Sequence, residues 1–254
     1  MAPRDYIVNG AKIWTTGAHN ADKIFCLVRT SNEGKRQEGI SFLLFDMNLP
    51  GITVEPILMF SGDHELNQVF FDDVRVPKVN RIGDENQGWT VAKYLLEFER
   101  GGIAYTPPVK AGLRRLVDIS RSAAGGNGKT LADDADFRRQ LAALEIGVMA
   151  NEFTEKRVMS ALSQGQNPGS ASSMFKLRGS ELLQGMLELT MNAIGGHAAV
   201  YQPEAFIPGN NVDPIAPAHG VVATSKYFNQ RAATIYAGSS EIQRTIIAKH
   251  VLGL

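Results

Sequence analysis

Three stretches of this sequence hold the side chains best suited to chemistry. In Asn9-Gly10-Ala11-Lys12-Ile13-Trp14-Thr15-Thr16-Gly17 a large aromatic ring stands beside adjacent hydroxyls at a strand end. Such a group can wall and hydrogen-bond a flat cofactor, and it equally suits a core tryptophan with turn-capping threonines. In Leu96-Glu97-Phe98-Glu99-Arg100-Gly101-Gly102 a carboxylate adjoins an arginine, early in a helix with an apolar face. Taken alone, that is a solvated charge run. In Ile235-Tyr236-Ala237-Gly238-Ser239-Ser240-Glu241-Ile242-Gln243-Arg244 a Gly-Ser-Ser turn opens a helix. Its free backbone N–H groups and hydroxyls suit a pyrophosphate or a developing oxyanion. Glu241, three residues after Gly238, also fits ordinary helix capping.

Other chemistries find little support. The histidines His19, His64, His197, His219 and His250 show no metal-ligand spacing, so no metal is assigned. No nucleophile elbow, Walker loop or strand-linked dinucleotide fingerprint is present. Gly195-Gly196 and the glycine-rich 125–128 stretch are too short to cradle a phosphate on their own. With 26 basic and 26 acidic residues in 254, the chain is neutral. A nucleic-acid binder or a polybasic membrane anchor would show a basic excess. The single cysteine, Cys26, sits in the run Ile24-Phe25-Cys26-Leu27-Val28 and reads as a buried thiol. No run approaches the ~18 apolar residues of a membrane span. Met-Ala-Pro-Arg-Asp at the start is no apolar signal segment, so a soluble, cytoplasmic chain is expected.

The elements that must position these residues change texture near residue 85. Before it, short apolar runs are broken by Gly, Asn, Asp and Pro. Tyr6-Ile7-Val8, Asn9-Gly10 and Ala11-Lys12-Ile13-Trp14 read as a hairpin, because Asn-Gly tolerates positive φ. Further strands are expected over Lys23–Arg29, 40–46, 52–57 and 68–71, with Asp72-Asp73 closing the last. After residue 85 the period lengthens. Val91, Tyr94, Leu95 and Phe98 share one helical face, and Phe137, Leu141, Leu144 and Val148 share another. Leu182, Leu183, Met186, Leu187 and Leu189 mark a third helix, and 224–235 and 239–251 two more. Pro107-Pro108 should end or kink the helix that begins near Trp89. Gly125-Gly126-Asn127-Gly128 and 202–217 read as loops. The expected class is α+β: an antiparallel β unit over 1–85, then an α-helical bundle over 86–254. Short strands with two exposed edges invite pairing, so a segment ahead of residue 1 is expected.

Taken together, the motifs resemble the acyl-CoA dehydrogenase family of flavoproteins. Asn-Gly-x-Lys-x-Trp-x-Thr, here Asn9 to Thr16, resembles its middle-domain motif. Ile-Tyr-x-Gly-Ser-x-Glu-Ile-Gln-Arg, here Ile235 to Arg244, resembles its C-terminal motif. Phe70-Phe71-Asp72-Asp73-Val74-Arg75-Val76-Pro77 is similar to the exit from the β domain, and Gly83-Asp84-Glu85-Asn86-Gln87-Gly88-Trp89 to the entry into the helical one. The likeness covers essentially the whole chain and corresponds to the family's C-terminal two-thirds. The nearest likeness within it is to large subunits of pimeloyl-CoA dehydrogenase and similar bacterial enzymes.

The resemblance implies bound FAD and α,β-dehydrogenation of an acyl-CoA thioester, with electrons passing to an electron-transferring flavoprotein-type acceptor. It places Trp14 beside the flavin ring, Thr16 near its N5 edge, and Gly238, Ser239 and Glu241 near the pyrophosphate and ribityl region. Gly195 and Gly196 would grip the adenosine half of a neighbouring subunit's FAD, which requires a homo- or hetero-oligomer. Tyr236 and Arg100 would contact the substrate. Many members carry a catalytic glutamate right after the motif tyrosine; here that residue is Ala237, which offers only a backbone N–H. A subset places the base on the first C-terminal helix just before an arginine, where Glu99-Arg100 stands. Ala124-Gly125-Gly126-Asn127-Gly128 lacks the family's Arg-x-x-Phe-Gly, weakening cross-subunit FAD contact. Pro107-Pro108 interrupts a long helix. The family's N-terminal helical domain and its Thr-Glu-Pro-x-x-Gly-Ser-type segment have no counterpart here. The resemblance therefore implies either a truncated dehydrogenase or a non-catalytic subunit packed against a complete partner.

Overall fold

Apolar residues alternate in the N-terminal half at the period of a strand, and five strands form there, followed by one short bridge. They are β1 (Asp5–Lys12), β2 (Lys23–Arg29), β3 (Ile40–Asp46), β4 (Ile52–Leu58), β5 (His64–Pro77) and β6 (Arg81–Ile82). The computed structural model describes residues 4–102, 106–166, 171–207 and 209–254. The chain divides into two compact units, Met1–Glu99 and Arg100–Leu254.

In the first unit two three-stranded antiparallel sheets, ordered β1-β5-β4 and β2-β3-β6, share one core. Val8, Cys26, Leu43, Phe45, Val69, Phe71, Val74 and Val76 fill it. Cys26 is buried as expected, and that burial pushes its thiol pKa up. The expected 23–29 and 40–46 strands form with those bounds.

Two expectations near β1 and β5 fail for one reason. Asn9-Gly10 is not a hairpin turn: β1 runs straight through it, and the register with β5 shifts between Val8 and Gly10 as a bulge. Nor does Asp72-Asp73 end a strand, since β5 continues to Pro77. The Asn9 carboxamide donates to Asp73 Oδ1 (2.9 Å) and accepts from the Asp73 N–H (2.8 Å). That pair absorbs the bulge, with Asp73 at φ 47°. The buried phase then shifts from Phe71 to Val74 instead of breaking off.

The second unit is helical. Its helices are α2 (Thr106–Ser120), α3 (Ala135–Ser163), α4 (Ala171–Ile194), α5 (Ala223–Asn229) and α6 (Ser240–Ile247); α1 (Gly88–Gly102) runs across the boundary between the units. Asp134 caps α3 by accepting the Phe137 N–H at 2.7 Å. Val109, Leu113, Val148, Leu182, Met186 and Leu187 form the main core, and Leu116, Phe137 and Leu189 a second cluster. Pro107 and Pro108 open α2, where a missing N–H costs nothing. The 125–128 stretch is tighter than a loop: β7 (Ala124–Gly126) and β8 (Lys129–Thr130) pair across Asn127-Gly128, both at positive φ. The 224–235 helix is α5 followed by a 3-10 turn, and the 239–251 helix is α6 followed by a π turn. On the face expected on α1, Tyr94 and Leu95 are exposed, and the side chain of Phe98 lies outside the described residues. Among the described residues no helix is long and apolar enough to cross a membrane.

Candidate functional site

Beyond β1 the chain must turn sharply, and Trp14 takes a left-handed conformation (φ 63°) to do so. Trp14 is 61% exposed, which excludes the core-tryptophan alternative. The Thr16 hydroxyl, also exposed, has no hydrogen-bond partner among the described residues. What holds this exposed segment is β5. The Thr15 N–H donates to Asn67 O (2.9 Å), and the Gly17 N–H to Glu65 O (2.8 Å). The Asn67 amide returns a bond to Thr15 O (3.0 Å).

Asn67 is fully buried. Its Nδ2 also donates to His19 Nδ1 (3.1 Å), and His64 Nε2 donates to its Oδ1 (2.8 Å). The two imidazoles stack with centroids 4.0 Å apart. Histidines considered one at a time in the sequence do not reveal this fastener. The available signal was an asparagine in the buried phase of β5, two residues before Val69.

In the helical unit the Tyr236–Glu241 turn gathers five of the expected site residues. Ala237 (φ 53°) and Gly238 (φ 86°) are both left-handed, a conformation that costs an alanine ~1–2 kcal/mol. Ala237 is exposed, and its N–H has no hydrogen-bond partner among the described residues. The buried Gln243 amide holds the turn, donating to the carbonyls of Ala237 (3.4 Å) and Gly238 (3.2 Å). Ser239 caps α6, its Oγ accepting from the Ile242 N–H at 3.5 Å. The Tyr236 hydroxyl donates to Gln230 Oε1 (3.2 Å).

A β carbon at Gly238 would stand 2.5 Å from Gln243 Nε2. Gly238→Ala should therefore lower the thermal midpoint of the helical unit, through a destabilisation of ~2 kcal/mol from combined strain and lost hydrogen bonding. Gly196→Ala, with open space around it and no positive φ, should leave that midpoint unchanged in the same calorimetric scan.

Charge at this helix start is unevenly balanced. Hydrogen bonds from its own N–H and the Ser239 hydroxyl hold the Glu241 carboxyl below the usual carboxylate range, with Arg244 and Lys176 adding to the effect. Lys176 Nζ and Ser240 Oγ are buried with no hydrogen-bond partner among the described residues. Burial pushes the Lys176 ammonium pKa down, with Glu241 opposing. Over the window between the lowered folded value and the ordinary 10.5, the unfolded chain binds more protons, so stability rises with pH there. Below the folded value both states are charged and the full burial penalty applies. Lys176→Met should raise the unfolding midpoint at neutral pH, and the gain should shrink as pH climbs through that window.

The remaining expected residues fall elsewhere. Gly195 and Gly196 begin a 3-10 turn after α4, with Gly195 at φ 60°. Glu99 and Arg100 sit in α1, but their side chains lie outside the described residues. Among the described residues, no three histidine, cysteine, aspartate or glutamate side chains gather as a metal site would need.

Comparison with known proteins follows these same motifs. Residues 86–252 match the family model for the acyl-CoA dehydrogenase C-terminal domain, and residues 2–74 the model for its middle domain. The chain belongs to the acyl-CoA dehydrogenase family. It is 34% identical over 251 residues to acyl-CoA dehydrogenase IpdE1 of Mycobacterium tuberculosis, covering 98% of this chain and 60% of that protein. It is 26% identical to the mouse mitochondrial short-chain specific acyl-CoA dehydrogenase, covering 97% and 56% respectively. A chain of the Mycobacterium tuberculosis ChsE4-ChsE5 complex superposes with a TM-score of 0.84 at 28% identity, over all of this chain and 63% of its own length. The chain thus spans about 60% of the length of relatives such as IpdE1.

Proposed function

We propose that this chain is a subunit of an acyl-CoA dehydrogenase assembly, inactive alone and packed against a complete partner of the same family. The observation that carries this is Ala237: at the turn where a carboxylate could take a proton, the chain presents a methyl group and a bare N–H. The likeness to a chain from a complex of two different proteins supports the pairing.

The residues in hand fit FAD. An exposed indole near a hydroxyl with no partner among the described residues suits a flat ring system, and a capped helix start whose buried Lys176 ammonium lacks a hydrogen-bond partner among the described residues suits an anionic group. When bound, FAD supplies hydride acceptance. Trp14 and Thr16 are then contacts of the β unit, and Gly238, Ser239 and Glu241 contacts of the helical unit. Gly195 and Gly196 serve a neighbouring subunit's cofactor. Tyr236 and Arg100 contact acyl-CoA, and the Ala237 N–H donates to the thioester oxygen as charge develops there. The domain division at 85/86, a cytoplasmic setting and an electron-transferring flavoprotein-type acceptor belong to the same proposal.

Dialysis of the purified chain, followed by its visible spectrum and an acyl-CoA assay, tests this reading. A colourless, inactive chain is expected. Stoichiometric flavin with turnover would overturn it and favour a self-sufficient dehydrogenase with Glu99 as the base.

A further inference from the structure

The Asn67 amide is held in one orientation by what it meets. Its Nδ2 faces two carbonyls, Thr15 O at 3.0 Å and Glu65 O at 3.4 Å, and only an N–H group satisfies those. That leaves Oδ1 facing His64 Nε2 at 2.8 Å, with Nδ2 also facing His19 Nδ1 at 3.1 Å. The two rings are thereby given different states. His64 must carry a hydrogen on Nε2, which it does whether neutral or charged. His19 must present a lone pair on Nδ1, so its hydrogen sits on Nε2 and the ring is neutral in this arrangement.

This clasp secures a segment that would not hold its shape unaided. Trp14 takes a left-handed φ of 63°, which a non-glycine residue keeps only when its surroundings impose it. Thr15 is tied to Asn67 in both directions, and the Gly17 N–H bonds Glu65 O. His19 lies in the 3-10 turn Ala18–Asn20 that follows and closes onto the same amide. Both histidines are exposed, so protons reach them freely. The charged groups on the segments around them are Asp22 and Lys23 after the turn, Glu55 on β4, Asp63 ahead of β5 and Glu65 on it. Among the described residues, no ion pair or hydrogen bond joins any of these to either imidazole. A proton gained there has no carboxylate paired with it.

We propose that His19 is a positioning residue for the Trp14–Gly17 segment, and that a single proton on its Nδ1 releases the segment from β5. With that proton in place, an N–H meets an N–H where a hydrogen bond stood. The ring has to swing away, the stack at 4.0 Å opens, and one hydrogen of the Asn67 amide keeps only the longer contact to Glu65 O. A proton on His64 leaves its bond to Oδ1 intact and adds only repulsion across the stack. The held form binds one proton fewer at His19 than the released form, so it prevails at higher pH and is lost as pH falls. An imidazole ordinarily changes charge between about pH 5 and pH 8, which sets this release near neutrality. The proposal concerns how the segment is held and stands whether or not flavin lies against Trp14.

Amide exchange on the purified chain, expressed as protection so that the intrinsic pH dependence of exchange cancels, reads the release. From about pH 8 to about pH 5, protection of the Thr15 and Gly17 amides should fall about fivefold or more, while the β2–β3 ladder keeps its own. At the higher pH, the ring nitrogen chemical shifts should show His19 bare on Nδ1 and protonated on Nε2. His19→Asn places a carbonyl oxygen where Nδ1 stood; it should retain the high-pH protection and lose the pH dependence. His64→Gln retains an N–H donor and should leave the pH dependence in place. A ring that only packed there would give neither the tautomer nor the pH profile. Protection that does not change with pH, a His19 hydrogen on Nδ1 at the higher pH, or undiminished pH dependence in His19→Asn overturns the proposal. The first two are read on the parent chain, so the test does not depend on any variant folding.

Discussion

Asn67→Ala should destabilise the β unit by about 3 kcal/mol, read as a shift of its urea unfolding midpoint. The amide is fully buried and engages Thr15 O, His19 Nδ1 and His64 Nε2 together. Truncation leaves those groups short of a partner where water cannot easily replace it. Asn67→Asp keeps the shape, but a carboxylate oxygen would then face Thr15 O with no hydrogen to share, so a comparable loss is expected. The effect should reach beyond stability. Trp14 is held in its left-handed turn through the neighbouring Thr15, so its emission in a Trp89→Phe background should change before global unfolding. A variant with the parent's midpoint and the parent's Trp14 emission would show that the segment is held by something other than this fastener.

The second large effect concerns proton abstraction in the assembled enzyme. On the second reading, with Glu99 of this chain as the base, Glu99→Gln slows acyl-CoA-driven flavin reduction by ~10²–10⁴-fold while the oxidised flavin spectrum is retained, whereas the proposed non-catalytic subunit leaves the rate unchanged. An amide keeps the side chain's size and cannot take the α-proton. Ala237→Glu on that background should return part of the rate, because it puts a carboxylate on the turn that Gln243 already holds. Stopped-flow mixing of the reconstituted assembly with substrate separates the outcomes. Near-normal reduction in Glu99→Gln would place the base on the partner and leave Glu99 a charge partner of Arg100 or of another helix.

Much of this could be read from residue types. The change from period 2 to period 3.6 near residue 85 marked where strands give way to helices, because each period reflects which faces an element can bury. The bounds of β2 and β3 followed from uninterrupted apolar runs, and the family from two dense motifs at the chain's two ends. Local pattern misled where a distant residue decided the outcome. Asn9-Gly10 has every mark of a hairpin turn, yet Asp73, 64 positions away, engages the Asn9 side chain and turns the pair into a bulge. The same holds for the fastener beneath Trp14: residues 15, 19, 64 and 67 meet only because β5 lies beside β1, and no short window holds them all. Sequence by itself determined the elements, the family and the chemistry available at residues 14, 16 and 237–241. Only the tertiary structure decided that Trp14 stands in solvent and that the Ala237 N–H finds no partner among the described residues. Exposure and free hydrogen-bonding groups are properties of what is not packed nearby, and local pattern carries no record of that.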